Sequence, residues 1–186
     1  MYKLVEWTPE LDLTDFYVEA QQRGFVNNSS QKAMIDCFRN EREWKVWILY
    51  QDDHAIGSVA AHSFDDVMGP NSYRICARTC SFAEAVERKG LLTFNKLIRE
   101  HQNFTAQFFI PAALDWTPPD ADLYITSNYS KEASQRLVHR MYMPGLVKNG
   151  TANRIKDVEY RGHIQTVWKL NRDVFVEQLN QCLRWA

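Results

Sequence analysis

The stretch from Trp44 to Phe82 constrains the fold more than any other part of this chain. It holds three runs rich in apolar, aromatic and β-branched residues: Trp44 to Tyr50, Ala55 to Ser63 and Tyr73 to Phe82. Runs of that length and composition fit pleated strands rather than helices. Asp52-Asp53-His54 separates the first two, and Asp65 to Ser72, with Gly69-Pro70-Asn71 inside it, separates the last two. Both separators read as turns, because Asp, Asn, Gly and Pro stabilise chain reversals. The predicted unit is an antiparallel meander of three strands.

On either side of the meander the pattern changes. Lys3 to Trp7 is a short strand candidate, and Thr8-Pro9-Glu10 after it is a helix entry with a cap, a proline whose missing N–H costs nothing, and an acid near the positive dipole end. Leu11, Phe16, Val18 and Ala20 continue that helix toward Gly24, and a second begins at Ser29 or Ser30 with Ala33, Met34, Cys37 and Phe38 on one face. From Ala83 a helical period returns through Leu91, Leu92, Asn95, Leu97, Ile98 and His101, ending near Asn103. Phe104 to Thr117 fits neither period, since Phe108-Phe109-Ile110 is broken by Pro111. Asp122 to Thr126 reads as a strand, followed by Ser127-Asn128-Tyr129-Ser130, then a helix from Lys131 to Tyr142 that Pro144-Gly145 ends. Arg154 to Tyr160 and His163 to Leu170 are strands joined at Arg161-Gly162, and a helix carrying Phe175, Leu179, Cys182 and Leu183 closes the chain.

Composition removes several functions. The seven glycines never stand closer than five positions apart, so G-x-G-x-x-G cannot be written. Gly145 and Gly150 have Walker spacing, but Asn149-Gly150-Thr151 lacks the lysine that reaches the phosphates. The 22 basic and 23 acidic residues leave a net charge of −1, which gives no general attraction to nucleic acid or anionic lipid. Cys37, Cys76, Cys80 and Cys182 show no C-x-x-C pair and imply no metal site; Cys76 and Cys80 read as small core residues on one strand face. The N-terminal residues show no signal-peptide core, and no apolar run spans a membrane. The reading is one domain over residues 1–186, reduced and cytoplasmic, with no nucleic-acid or membrane partner.

The order strand, helix, helix, three strands, helix, strand, helix, strand, strand resembles the GNAT superfamily of N-acetyltransferases over most of the chain. Three segments carry the likeness. Asp53 to Val59 is similar to the family's turn and third strand, and Glu87-Arg88-Lys89-Gly90-Leu91-Leu92 is similar to its acyl-CoA loop. Ala133 to Leu137 through Pro144-Gly145-Leu146, with the later Tyr160 to Leu170 segment, looks like the penultimate helix, its exit and the closing strand. The implied fold is an α/β (α+β) arrangement, a mixed central sheet of about six to seven strands flanked by helices on both faces. Residues 104–119 exceed what that fold needs and read as an insertion that caps the acceptor site or, through Phe108, Phe109 and Trp116, forms a partner surface.

The resemblance implies transfer of an acetyl group from acetyl-CoA to a primary amine by direct attack. Acetyl-CoA would lie between the splayed fourth and fifth strands. Arg88, Lys89, Gly90 and Leu91 would hold its pyrophosphate at a helix start, and the backbone near Arg78, Thr79 and Cys80 would offer an N–H to the oxyanion. Asn128 would bond the cofactor arm. The tyrosine that the family uses as an acid is displaced here, with Val138 or Met141 in its place according to register, so Tyr142 and His139 are the candidates. The fourth strand holds no acid but carries Arg74 and Arg78; Asp65, beside Asp66, is therefore the base candidate. Glu87 and Leu92 depart from the loop pattern, which usually has Gln or Arg and then a second small residue. An alternative follows from those departures: a binding or interaction protein on the same scaffold that has lost catalysis. A hydrolase is weaker, because no G-x-S-x-G elbow exists. The expected partners are acetyl-CoA and an unidentified amine, with a homodimer as an option.

Overall fold

A computed structural model describes residues 1–8, 10–12, 42–52, 54–79, 105–128, 139–140, 143–160 and 162–184. Seven strands form one mixed sheet in the order β1-β2-β3-β4-β5-β7-β6. They are β1 (Tyr2–Glu6), β2 (Trp44–Gln51), β3 (His54–Ser63), β4 (Ser72–Thr79), β5 (Asp122–Asn128), β6 (Ala152–Tyr160) and β7 (His163–Leu170). Four described helices accompany them: α1 (Asp65–Met68), α2 (Ile110–Trp116), α3 (Met143–Lys148) and α4 (Arg172–Arg184). Chain contacts divide into two compact units, Met1–Ser63 with Ala77–Trp116, and Phe64–Cys76 with Thr117–Ala186.

In the first unit β1 and β3 pair antiparallel on either side of β2. Val46, Trp47, Ile48 and Leu49 are all buried, so β2 is covered on both faces, as its unbroken apolar run requires. The hairpin turns at Asp52, whose φ of 54° is a left-handed value that Asp tolerates. Residues 105–116 correct the sequence reading. Thr105–Phe109 forms a wide helical turn that leads directly into α2, and Pro111 lies one residue past that junction, where the widened turn accommodates a residue with no N–H to donate. Phe109, Ile110 and Ala113 are buried; Phe108 meets Tyr2 at 5.9 Å between ring centres and Trp116 meets Trp47 at 6.2 Å. The three aromatics that suggested a partner surface thus pack within their own unit.

In the second unit the 64–72 connection is not a simple turn: Asp65–Met68 is one helical turn, closed by Gly69 at φ 97° and Asn71 at φ 60°. Val67 and Met68 rest on the cluster of Phe64, Tyr124 and Val167. Asn71 also ties the starts of β4 and β5 together, accepting from Asp122 N–H at 3.0 Å and donating through Nδ2 to Asp120 at 3.2 Å. The strands then pair in parallel over Ser72–Arg74 and Asp122–Tyr124, and the described pairing stops there although both strands continue. β5 runs to Asn128, two residues past the predicted end, because antiparallel pairing with β7 extends to Asn128–Gln165. Pro144 and Gly145 lie inside α3, as its second and third residues, whereas the predicted helix over 131–138 lies outside the described residues. β6 is an edge strand with exposed Arg154, Lys156, Asp157 and Glu159 and a register irregularity between Arg154 and Lys156, features that oppose edge-to-edge association.

Candidate functional site

Alternation along β5 sends Tyr124, Thr126 and Asn128 to one face of the sheet and Ser127 to the other. Polar side chains gather on both faces around the point where the β4–β5 pairing ends.

On the Ser127 face, three buried groups form a chain. Trp168 Nε1 donates to Ser127 Oγ at 2.8 Å, and Ser127 Oγ lies 2.8 Å from His139 Nδ1. The imidazole also meets the Trp168 indole edge-on at 6.0 Å between ring centres. Ser127 is 1% exposed and His139 7%. Indole only donates, so the serine oxygen accepts from Trp168; its bond with His139 Nδ1 runs in the direction that the tautomer of the ring sets. Burial pushes the His139 pKa below its ordinary 6.5, with Arg154 and Arg140 adding to the fall and Asp157 opposing it. Burial thus favours the neutral ring.

On the Thr126 face, Arg74 Nε and Nη2 both donate to Thr126 Oγ1, at 2.9 and 2.7 Å. Thr126 passes its proton to Gln165 Oε1 at 2.5 Å, and Gln165 Nε2 donates to Tyr160 O at 3.1 Å. The guanidinium carbon stands 5.0 Å from the centre of the Tyr160 ring. This chain has one direction, since Arg only donates. Beside it, Lys169 pairs with Asp122 at 2.6 Å, a bond that raises the lysine pKa. Burial, then the Asp122 charge, raises that of Tyr124.

The structure brings some predicted site residues together and leaves others apart. His139 faces β5 and β7, as just described. Asp65 begins α1, and its Oδ1 accepts the Ser72 N–H at 3.0 Å. Asn128 is half-buried at the end of β5, opposite Gln165. Arg78 and Thr79 lie in the backbone of β4, with their side chains outside the described part. Cys80, Arg88, Lys89, Gly90, Leu91 and Tyr142 lie outside the described residues, as do 13–38, 89–103 and 131–138, where the sequence predicts helices. Thr126, Gln165 and Tyr160, and the pairing of Ser127 with Trp168, escaped sequence reasoning. Only Arg74 left a signal there, as a base in a strand where an acid was expected.

Among experimentally solved structures the chain is similar to aminoglycoside acetyltransferase AAC(6')-Ib in complex with coenzyme A and kanamycin. The identity is 11% and the TM-score 0.57, covering 95% of this chain and 98% of that one. The same enzyme with coenzyme A alone gives 10%, a TM-score of 0.56 and the same coverage. A Desulfovibrio desulfuricans protein assigned to the GNAT acetyltransferases aligns at 9% identity and a TM-score of 0.50, covering 91% and 98%. No protein-family model and no curated protein matches the sequence. The chain has the GNAT acetyltransferase fold, with a seven-stranded mixed sheet.

Proposed function

We propose that this protein is a divergent GNAT N-acetyltransferase that moves the acetyl group of acetyl-CoA to a primary amine by direct attack. The observation that carries the reading is the parallel β4–β5 pair, stitched at its start by Asn71, whose described pairing ends at Arg74 and Tyr124, within a GNAT fold. A strand pair that opens in this way exposes backbone groups to a thioester arm. Coenzyme A bound to the similar aminoglycoside enzyme supports a donor of that type.

In this mechanism the amine nitrogen attacks the thioester carbon, the carbon–sulfur bond breaks, and one proton passes from nitrogen to sulfur overall. Arg88, Lys89, Gly90 and Leu91 hold the pyrophosphate, Asn128 the pantetheine arm, and a backbone N–H in the stretch Arg78 to Cys80 the oxyanion. Asp65 takes the amine proton through water. Tyr142 supplies the proton to sulfur, with His139 as the other candidate for that role. Asp65 bonded to Ser72, and His139 bonded to Ser127, equally suit a purely structural role, and Glu87 weakens a pyrophosphate site. Those points favour the second reading, a GNAT-fold binding protein without catalysis.

Thermal unfolding with and without acetyl-CoA separates the readings from the case of no donor site. Ligand at ~100 times its dissociation constant adds about 2.7 kcal/mol, several degrees for a chain of this length. Gly90→Pro, which fixes φ and removes an N–H, should abolish the shift. No shift at millimolar acetyl-CoA sinks the proposal. A shift without release of free CoA thiol across a broad amine panel leaves the binding reading.

A further inference from the structure

Gly145 to Thr151 has two glycines at Walker spacing and the one Asn-Gly pair of the chain, Asn149-Gly150, and neither feature enters acetyl transfer. In the structure the segment closes α3. Gly150 N–H donates to Val147 O at 3.0 Å and Thr151 N–H to Leu146 O at 2.9 Å, the paired bonds of a Schellman cap with Gly150 in its left-handed position at φ 73°. From α4, Gln178 fastens the cap on both sides of Gly150: its Nε2 donates to Asn149 O at 3.3 Å, and its Oε1 accepts from Thr151 Oγ1 at 2.8 Å. We propose that Asn149 is a modification site, where its side-chain amide becomes a carboxylate through attack by the Gly150 nitrogen, and that this cap is the gate that sets the rate.

The two residues and water suffice for the reaction. Gly150 has no Cβ to hinder the approach of its nitrogen to Asn149 Cγ, and both residues are exposed. The Gly150 N–H gives its proton to solvent, the nitrogen bonds to Cγ, and the side-chain Cγ–N bond breaks to release ammonia. Water then opens the five-membered imide. Opening at Cγ leaves aspartate; opening at the main-chain carbonyl carbon leaves isoaspartate, with one extra atom in the backbone. In the closed cap the attacking N–H is committed to Val147 O and the Asn149 carbonyl to Gln178, so attack waits until the last turn of α3 opens. A helix of six residues frays at its end without unfolding the sheet. Either product puts a carboxylate at the negative end of α3. Thr151, which follows, is fully buried and its carbonyl accepts from Asn171 N–H at 2.9 Å, so damage at the cap reaches the starts of β6 and α4.

The test incubates the full chain at pH 8, folded and in urea. Digestion with pepsin at acid pH follows, and mass spectrometry reads the amide-to-acid change in the peptide carrying Asn149, with its aspartate and isoaspartate forms separated by chromatography. Asn149 should react at least ~10-fold more slowly in the folded chain than in urea. Gln178→Ala should raise the folded rate at least ~3-fold and leave the rate in urea unchanged. Gly162→Ala, which strains the hairpin at the other end of β6, should change neither rate. Equal rates in the folded chain and in urea, or no acid at Asn149 in either, overturn the proposal. So does a folded Gln178→Ala that reacts no faster than wild type, or an acceleration by Gly162→Ala as large as that by Gln178→Ala, which would make global unfolding the gate. The wild-type comparison decides by itself where Gln178→Ala fails to fold.

Discussion

Ser127 owes its place in the site to a single oxygen that accepts from Trp168 and shares a hydrogen bond with His139. Each such bond contributes on the order of 1 kcal/mol net, but stripping a partner leaves a buried polar atom at a cost of about 1–3 kcal/mol. The buried imidazole also ties stability to pH. Its folded pKa lies below the unfolded value near 6.5, so the unfolded chain binds more protons as pH falls past that value. The stability contributed by neutral His139 is therefore full above pH 6.5 and lost as pH drops through the folded pKa. Chemical denaturation between pH 8 and 5 should show this loss, at most about 1.4 kcal/mol per pH unit for one proton, and His139→Gln should lack that component. An unchanged pH profile in the variant would refute the buried neutral state. Asp65→Asn isolates basicity: the amide oxygen still accepts from Ser72, so melting should stay within about 0.5 kcal/mol while turnover falls ~10²-fold or more if the carboxylate is the base. None of these pairings was legible in the sequence, where Ser127 and Trp168 lie 41 residues apart.

Among the elements, the strands were the most legible. Trp44–Gln51, His54–Ser63 and His163–Leu170 follow the predicted runs within a residue, because composition and alternation are local properties that a sheet uses directly. Helix boundaries fared worse. Pro111 and Pro144 read as breaks, yet both lie within helices, Pro111 just past the wide turn of 105–109 and Pro144 as the second residue of α3. The β6–β7 hairpin depends on one glycine: Tyr160 pairs with His163, and Gly162 between them has a φ of 73° with open space where a methyl group would point. Gly162→Ala should cost about 1 kcal/mol from backbone strain alone, read as a lower urea midpoint at constant slope, and Gly162→Asn less. Equal stability of all three proteins would show that the hairpin does not need the left-handed conformation.

At the scale of the whole molecule, the order of the described strands was legible in the sequence itself, whereas the opened strand pair entered only through the family resemblance. Periodicity, turn chemistry and the buried run in β2 depend only on near neighbours, so they survive without any knowledge of the fold. The spacing of the seven glycines likewise excludes glycine-rich phosphate loops, and the functional classes built on them, through composition alone. What only the tertiary structure decided is which side chains meet. Arg74 reaches Thr126 across 52 residues, and Thr126 reaches Gln165 across 39. Those meetings follow from strand register, and a shift of one residue would send each side chain to the opposite face. Register is fixed by the joint packing of β4, β5, β6 and β7, a property of the assembled sheet that no single stretch of sequence contains.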